Sequence, residues 1–155
     1  MNIVITGGAG FIGANFIYYM LAKHPADYII CYDKLTYAGN METLTKALTK
    51  EKFKFIRGDI ADRQAVYKMF ETEKPDIVVN FAAESHVDRS IDGPAAFIDT
   101  NIVGTCSLLQ ESLKYWKSLP LEAAKAFRFH HPELSVAIHR SDTPLPHRFL
   151  CVFVI

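Results

Sequence analysis

Thr6-Gly7-Gly8-Ala9-Gly10-Phe11-Ile12-Gly13 follows the β-branched run Ile3-Val4-Ile5 and leads into an apolar-periodic stretch from Phe11 to Lys23. The order reads as strand, glycine turn, helix. A tight turn needs residues that tolerate unusual backbone angles, and glycine has no Cβ to clash. A second glycine lets a pyrophosphate approach the backbone, and a third lets the helix pack closely on the strand. Free N–H groups at the helix start, at the positive end of its dipole, then hold phosphates. The next apolar run, Tyr28-Ile29-Ile30-Cys31-Tyr32, ends at Asp33. That acid lies about 20 residues beyond Gly13, the spacing of a carboxylate that binds a ribose. The unit is therefore predicted to hold a dinucleotide. Two parses fit: Gly8, Gly10 and Gly13 as G-x-G-x-x-G, or Gly7, Gly10 and Gly13 as G-x-x-G-x-x-G.

The surroundings are those of a soluble α/β domain. The chain has 155 residues, 50% of them apolar and 22% charged. This length accommodates one domain with a sizeable core. Lys+Arg and Asp+Glu both number 17, so nothing points to nucleic acid or an anionic membrane as a partner. No apolar run is long enough to span a bilayer. Cys31, Cys106 and Cys151 are odd in number and far apart, a pattern of reduced thiols, with neither a disulfide framework nor a metal site. A first strand starting at Asn2 leaves no length for a leader. The expected compartment is the cytoplasm.

Along the chain, strand one is predicted over 2–5, helix A over 11–23, strand two over 28–32 and a short helix B over 42–48. Strand three covers 53–56 and strand four 76–81. Asp62 is placed to cap helix C over 63–73. Pro94 opens a long helix running to about Trp116, and Ala126 to His131 reads as strand five. Strands alternating with helices predict an α/β fold with a doubly wound parallel sheet of Rossmann type, in the order 3-2-1-4-5. Its ligand is expected over the carboxyl ends of strands one and four.

Asp33 is expected to accept hydrogen bonds from the adenosine ribose. A carboxylate there repels the extra phosphate of NADP and favours NAD, with Lys34 partly offsetting it. Asp59 and Ile60, just past strand three, either flank the adenine or are a turn acid with an apolar neighbour. In Phe81-Ala82-Ala83-Glu84-Ser85-His86-Val87-Asp88-Arg89-Ser90, small alanines at a strand end let a cofactor lie against the backbone. His86 reads as a hydrogen-bonded loop residue rather than an acid–base catalyst.

Three stretches, Asp33 to Asn40 (DKLTYAGN), Ala82 to Ser90 (AAESHVDRS) and Thr100 to Thr105 (TNIVGT), resemble those of the dTDP-glucose 4,6-dehydratases, extended short-chain dehydrogenases/reductases of the NAD-dependent epimerase/dehydratase group. The glycine turn matches as well. The first two stretches separate this family from the epimerases, and the resemblance covers Met1 to about His131. It implies NAD as cofactor. Beside Gly7, Gly10 and Gly13, it implies NAD contacts from Phe11, Ile12, Asp33, Lys34, Leu35, Thr36, Asp59, Ile60, Phe81, Ala82, Ala83, Glu84, Ser85 and Thr100. Ser85 would also lie near the dTDP-sugar substrate, and no metal is implied. Members are lyases of deoxysugar biosynthesis, and they form homodimers. They oxidise the sugar at C4 by hydride transfer to NAD, eliminate water across C5 and C6, and return the hydride to C6. That chemistry needs a Tyr-x-x-x-Lys pair and a Thr-Asp-Glu run straight after strand five.

Here the chain departs from the family. Beyond His131 the family pattern continues Ile-Ser-Thr-Asp-Glu-Val-Tyr-Gly, whereas this chain reads Pro132-Glu133-Leu134-Ser135-Val136-Ala137-Ile138-His139-Arg140. The predicted division is residues 1–131 as an NAD-binding Rossmann domain and 132–155 as a tail foreign to the family. The tail is either a frameshifted or truncated product, the preferred reading, or a true variant adding a sixth strand. No catalytic residue is assigned in the chain as written. Tyr19 and Lys23 fit Tyr-x-x-x-Lys, but they lie on helix A, beside the sheet and past the end that meets a cofactor. The functional expectation is the NAD-binding part of a dTDP-glucose 4,6-dehydratase, inactive in this form. The alternatives are a non-catalytic NAD-binding module or an NAD-dependent nucleotide-sugar epimerase relative.

Overall fold

Ile3-Val4-Ile5, Tyr28 to Tyr32 and Ile77-Val78-Val79 are unbroken apolar runs because both faces of their sheet are covered. The computed structural model describes residues 1–85 and 93–132. Its elements are β1 (Asn2–Thr6), α1 (Phe11–Lys23), β2 (Tyr28–Asp33), a 3-10 turn (Met41–Leu44) running into α2 (Thr45–Leu48), β3 (Phe53–Arg57), α3 (Arg63–Glu73) and β4 (Ile77–Asn80). After the undescribed segment come α4 (Pro94–Phe97), a π-helical stretch (Ile98–Gly104), α5 (Thr105–Ser118), α6 (Leu121–Ala126) and β5 (Arg128–His130).

The strands are all parallel, in the order β3-β2-β1-β4-β5 that the sequence predicts. Register pairs Ile5 with Cys31 on one side and with Val79 on the other. The period of two along each strand then sorts side chains to opposite faces. Ile3, Ile5, Ile29, Cys31 and Val79 face one way and pack with Ala14 and Ile17 of α1, Leu44 of the 3-10 turn and Ala47 of α2. Val4, Ile30, Tyr32, Val78 and Phe129 face the other way, against Val66, Met69 and Phe70 of α3 and Leu108 of α5. Two cores sandwich one sheet, and its carboxyl edge stays open between the turns that leave β1, β2, β3 and β4.

Asp62 caps α3 as expected, its carboxylate accepting from the N–H groups of Gln64 and Ala65 at 3.0 Å each. The helix closes at Lys74, whose φ of 46° is left-handed and whose N–H donates to the Phe70 carbonyl at 3.0 Å. Replacing Asp62 by Ala orphans two helix amides and is expected to lower stability by about 1 kcal/mol. Urea titration checks this: the midpoint falls while the slope stays constant. An unmoved midpoint would mean that packing alone holds this helix start.

Three features differ from the sequence reading. The predicted helix from Pro94 continues to Ser118, but its middle is π-wound over Ile98–Gly104. A π turn adds a residue and shifts the helical phase locally, and its exposed Ile98, Ile102 and Val103 leave no buried face from which sequence could read that shift. At its end, a Cβ on Gly104 would lie 2.7 Å from Ile60 Cγ1, so the helix crosses Ile60 where only glycine fits. Leu121 to Ala126 forms a helix where only a connection was expected. Its Leu-Glu-Ala-Ala-Lys-Ala sequence is made of strong helix formers, and Lys125 pairs with Glu122 at 2.8 Å. Strand five consequently starts at Arg128 rather than at Ala126. His86 and the tail from Glu133 lie outside the described residues.

Candidate nucleotide-binding site

The turn after β1 assigns a different task to each glycine. Gly7 has a φ of 65°, and a Cβ there would lie 2.6 Å from the backbone of Phe81 and Ala82. It lets the turn touch the exit of β4. A Cβ on Gly8 would lie 2.6 Å from Cys31 Sγ and 2.7 Å from Ile17 Cδ1, inside the core. On Gly13 it would overlap the Gly7 carbonyl, so α1 seats directly on the turn. Gly10 differs: a Cβ there would meet Gly7 O alone, at 3.3 Å, with open space beyond. Gly10, the middle glycine of either parse, presents bare backbone to a ligand. The first position is filled by Gly7, left-handed and seated on the exit of β4, while Gly8 serves packing, which favours G-x-x-G-x-x-G.

Gly10 is also the N-cap of α1, and no side chain caps that helix or places an acid in its first turn. Its first amides and the dipole's positive end are left for an anion.

Asp33 ends β2 and is only 9% exposed. One oxygen accepts from the Ala9 N–H at 2.9 Å and the other from the Leu35 N–H at 2.7 Å. The carboxylate thus braces the glycine turn and the loop after β2, and each oxygen keeps a lone pair for a further donor. That loop folds back over it. Leu35 is left-handed at φ 58°, Gly39 N–H donates to the Thr36 carbonyl at 3.0 Å, and Asn40 N–H donates to the Ala9 carbonyl at 3.0 Å. A Cβ on Gly39 would lie 3.2 Å from Asp33 Oδ1.

Across from Asp33, Asp59 accepts from the Ala61 N–H at 2.9 Å with one oxygen and pairs with Lys34 Nζ at 2.5 Å with the other. Tyr32 lies beneath, its ring filling the space that a side chain on Gly58 would need. Burial pushes the Tyr32 hydroxyl up to about 12, with the charges of Asp62 and Asp59 adding to the effect. Burial likewise raises the Cys31 thiol to about 12, helped by Asp33 and opposed by the Gly8 backbone hydrogen bond. Both stay protonated at neutral pH, so neither supplies a base.

The far wall is the exit of β4. Buried Thr6 donates its hydroxyl to Asn80 Oδ1, and that oxygen also accepts from Ala82 N–H at 3.2 Å. Asn80 Nδ2 lies 3.0 Å from His131 Nδ1, tying the ends of β1, β4 and β5 together. Asn101, in the π-helical stretch, takes the Glu84 N–H at 2.8 Å and returns a bond to the Glu84 carbonyl at 2.9 Å. It fixes the wall on both backbone groups of one residue.

One cavity results. It is walled by Gly7, Gly10, Asp33, Lys34, Thr36, Asp59, Ile60, Phe81, Ala82, Ala83, Glu84 and Thr100, all of them expected site residues. Ile60 does so from a core position, at 4% exposure. The structure does not bring the other expected residues to its walls. Phe11 and Ile12 project outward from the first turn of α1, 85% and 47% exposed. Gly13 lies beneath the turn, Leu35 packs on the core, and Ser85 stands exposed beyond Glu84. Tyr32, Ala38, Gly39 and Gly58 join the walls, although the sequence reading did not single them out. Glycine directly after a strand, as in Arg57-Gly58-Asp59, was the available signal for the last of them. Tyr19 is 55% exposed on α1, away from these walls. Among the described residues, no group of three or more His, Cys, Asp or Glu is gathered to hold a metal. No helix among them is long and apolar enough to cross a membrane.

Fold and site together define a Rossmann-type α/β protein with its cavity at the carboxyl edge of a parallel sheet. The family model of the GDP-mannose 4,6 dehydratases matches residues 4–132, and the chain belongs to that family. A dTDP-glucose 4,6-dehydratase of Escherichia coli is 51% identical over 131 residues, which are 84% of this chain and 36% of that protein. The chain thus spans about a third of the length of the curated relatives it matches. Among solved structures, a dTDP-glucose 4,6-dehydratase of Streptomyces venezuelae crystallised with NAD superposes with a TM-score of 0.70 at 43% identity, over 74% of this chain and 36% of that one. The UDP-glucose 4-epimerase of Thermotoga maritima, crystallised with UDP-glucose, reaches 0.66 at 33% identity, over 74% and 34%.

Proposed function

We propose that this chain is the NAD-binding part of a dTDP-glucose 4,6-dehydratase and that, as a 155-residue polypeptide, it holds the cofactor without turning over the sugar. The observation that carries the reading is that Gly7, Gly10, Asp33 and the exit of β4 share a cavity. Bare backbone at Gly10 and the open start of α1 suit a pyrophosphate. Asp33 suits the ribose hydroxyls, and the small side chains of Ala82 and Ala83 leave room for the nicotinamide end. NAD, when bound, supplies a hydride acceptor. The chain's own residues bind it and orient it. In this reading residues 1–131 are the NAD-binding domain and 132–155 stand apart from it. Ser85, at the open edge, would meet the sugar nucleotide. Exposed Ile98, Ile102 and Val103, on the helix that follows Pro94, support a second copy of the chain as partner, as in the family. Cys31 and Cys106, both free thiols among the described residues, suit a reducing cytoplasm.

Calorimetric titration of NAD and NADP into the purified chain tests the reading. NAD is expected to bind at least about tenfold more tightly, because a 2′-phosphate would stand against the Asp33 carboxylate. Equal or tighter binding of NADP would sink the role given to Asp33.

A further inference from the structure

We propose that Asp59 is a specificity-determining residue: by holding the Lys34 ammonium, it withholds from a 2′-phosphate the cation that directly follows Asp33. This rests on the reading of the cavity as a dinucleotide site and deepens it.

Lys34 directly follows Asp33, the residue that faces the ribose in that reading. A lysine in this place is a ready phosphate ligand, and from sequence alone it is expected to soften the preference for NAD. The structure shows where its charge goes. Nζ lies 2.5 Å from Asp59 Oδ2 on the opposite lip of the same cavity. Asp59 is itself held in place, because its other oxygen accepts the Ala61 N–H at 2.9 Å. The Lys34 ammonium is therefore committed to Asp59, while Arg57, which pairs with Asp33 in register, is present alike in every variant below. Asp33 is braced by the Ala9 and Leu35 amides, so it cannot swing away from an incoming phosphate. A 2′-phosphate would thus meet the Asp33 carboxylate with the Lys34 charge already engaged.

The lysine and aspartate side chains are 56% and 27% exposed. An ion pair that open to water is weak, so the effect on preference is modest, about fivefold.

The experiment uses the full chain and three proteins: wild type, Asp59→Asn, and Asp59→Asn with Lys34→Gln. Each is titrated calorimetrically with NAD and with NADP, and the ratio of the two dissociation constants is the readout. Both nucleotides carry the same adenine, so any change in how Asp59 meets that ring cancels in the ratio. Asparagine retains an oxygen for the Ala61 N–H, which preserves the turn. In Asp59→Asn the ratio is expected to move about fivefold toward NADP, with the gain shrinking as salt is added. In the double variant it is expected to return to the wild-type value. A ratio unmoved in Asp59→Asn, in a wild-type chain that prefers NAD, overturns this inference and leaves the cofactor reading standing. A gain that persists in the double variant also overturns it, because Asp59 would then act by its own charge. A wild-type chain that takes up neither nucleotide overturns the cofactor reading and this inference with it.

Discussion

Gly10→Val is expected to remove NAD binding, by roughly a hundredfold or more, while the chain keeps its far-UV circular dichroism spectrum. The four turn glycines make this prediction sharp. Gly7, Gly8 and Gly13 are each enclosed, so a side chain at any of them meets backbone or core atoms at 2.7 Å or closer. Loss of binding in those variants would say nothing about the ligand, because the turn itself would shift. Gly10 has a φ of −77° and ψ of 171°, which any residue adopts, and its Cβ position meets only the Gly7 carbonyl at 3.3 Å. Valine there gives up a favourable N-cap, at a cost of about 1 kcal/mol, and fills the approach to the first amides of α1. Gly10→Ala grades the effect, with one methyl group in the same place and an intermediate loss. Unchanged affinity in Gly10→Val, measured by calorimetry, would mean that the phosphates lie elsewhere.

The parts of this site that the sequence made legible are those set by backbone chemistry. A glycine run between a β-branched strand and a helix, followed by Asp33, needs no tertiary knowledge to be read, and the sheet order followed from the alternation of elements. What stayed hidden depends on distance across the fold. The choice between Gly7 and Gly8 as the first motif glycine turns on where each Cβ vector points, which spacing cannot say. The link between Lys34 and Asp59 joins residues from the ends of β2 and β3, and the Asn101 clamp on Glu84 joins two elements 17 positions apart. The π-wound stretch was invisible for a related reason: its apolar side chains Ile98, Ile102 and Val103 are exposed, so no buried stripe marks its phase. Leu35 shows the same dependence on distance: the family resemblance implies a cofactor contact from it, and the fold packs its side chain against the core.

The 155-residue chain is expected to form no 4-keto-6-deoxy sugar from dTDP-glucose when NAD is supplied. Oxidation at C4 needs a group to take the hydroxyl proton, and elimination needs an acid and a base. The tyrosine in the chain's one Tyr-x-x-x-Lys, Tyr19 with Lys23, points to solvent from α1, 55% exposed. Tyr32 reaches the cavity wall, but burial holds its hydroxyl at about 12. His131, at the end of β5, has Nδ1 engaged with Asn80. A Thr-Asp-Glu run occurs nowhere in the sequence, and the first carboxylate past β5, Glu133, follows Pro132. Each missing acid–base group typically costs 10²–10⁴-fold. With the whole set absent, the rate is expected to fall to that of the no-protein control. Sugar positioning adds a further loss, because nothing in the cavity as described orients C4 toward a bound nicotinamide. The assay incubates purified chain with NAD and dTDP-glucose and follows keto-sugar formation. Turnover above the no-protein control that disappears in Gly10→Val would overturn the non-catalytic reading. It would also send the search for the base to His86 and Tyr19.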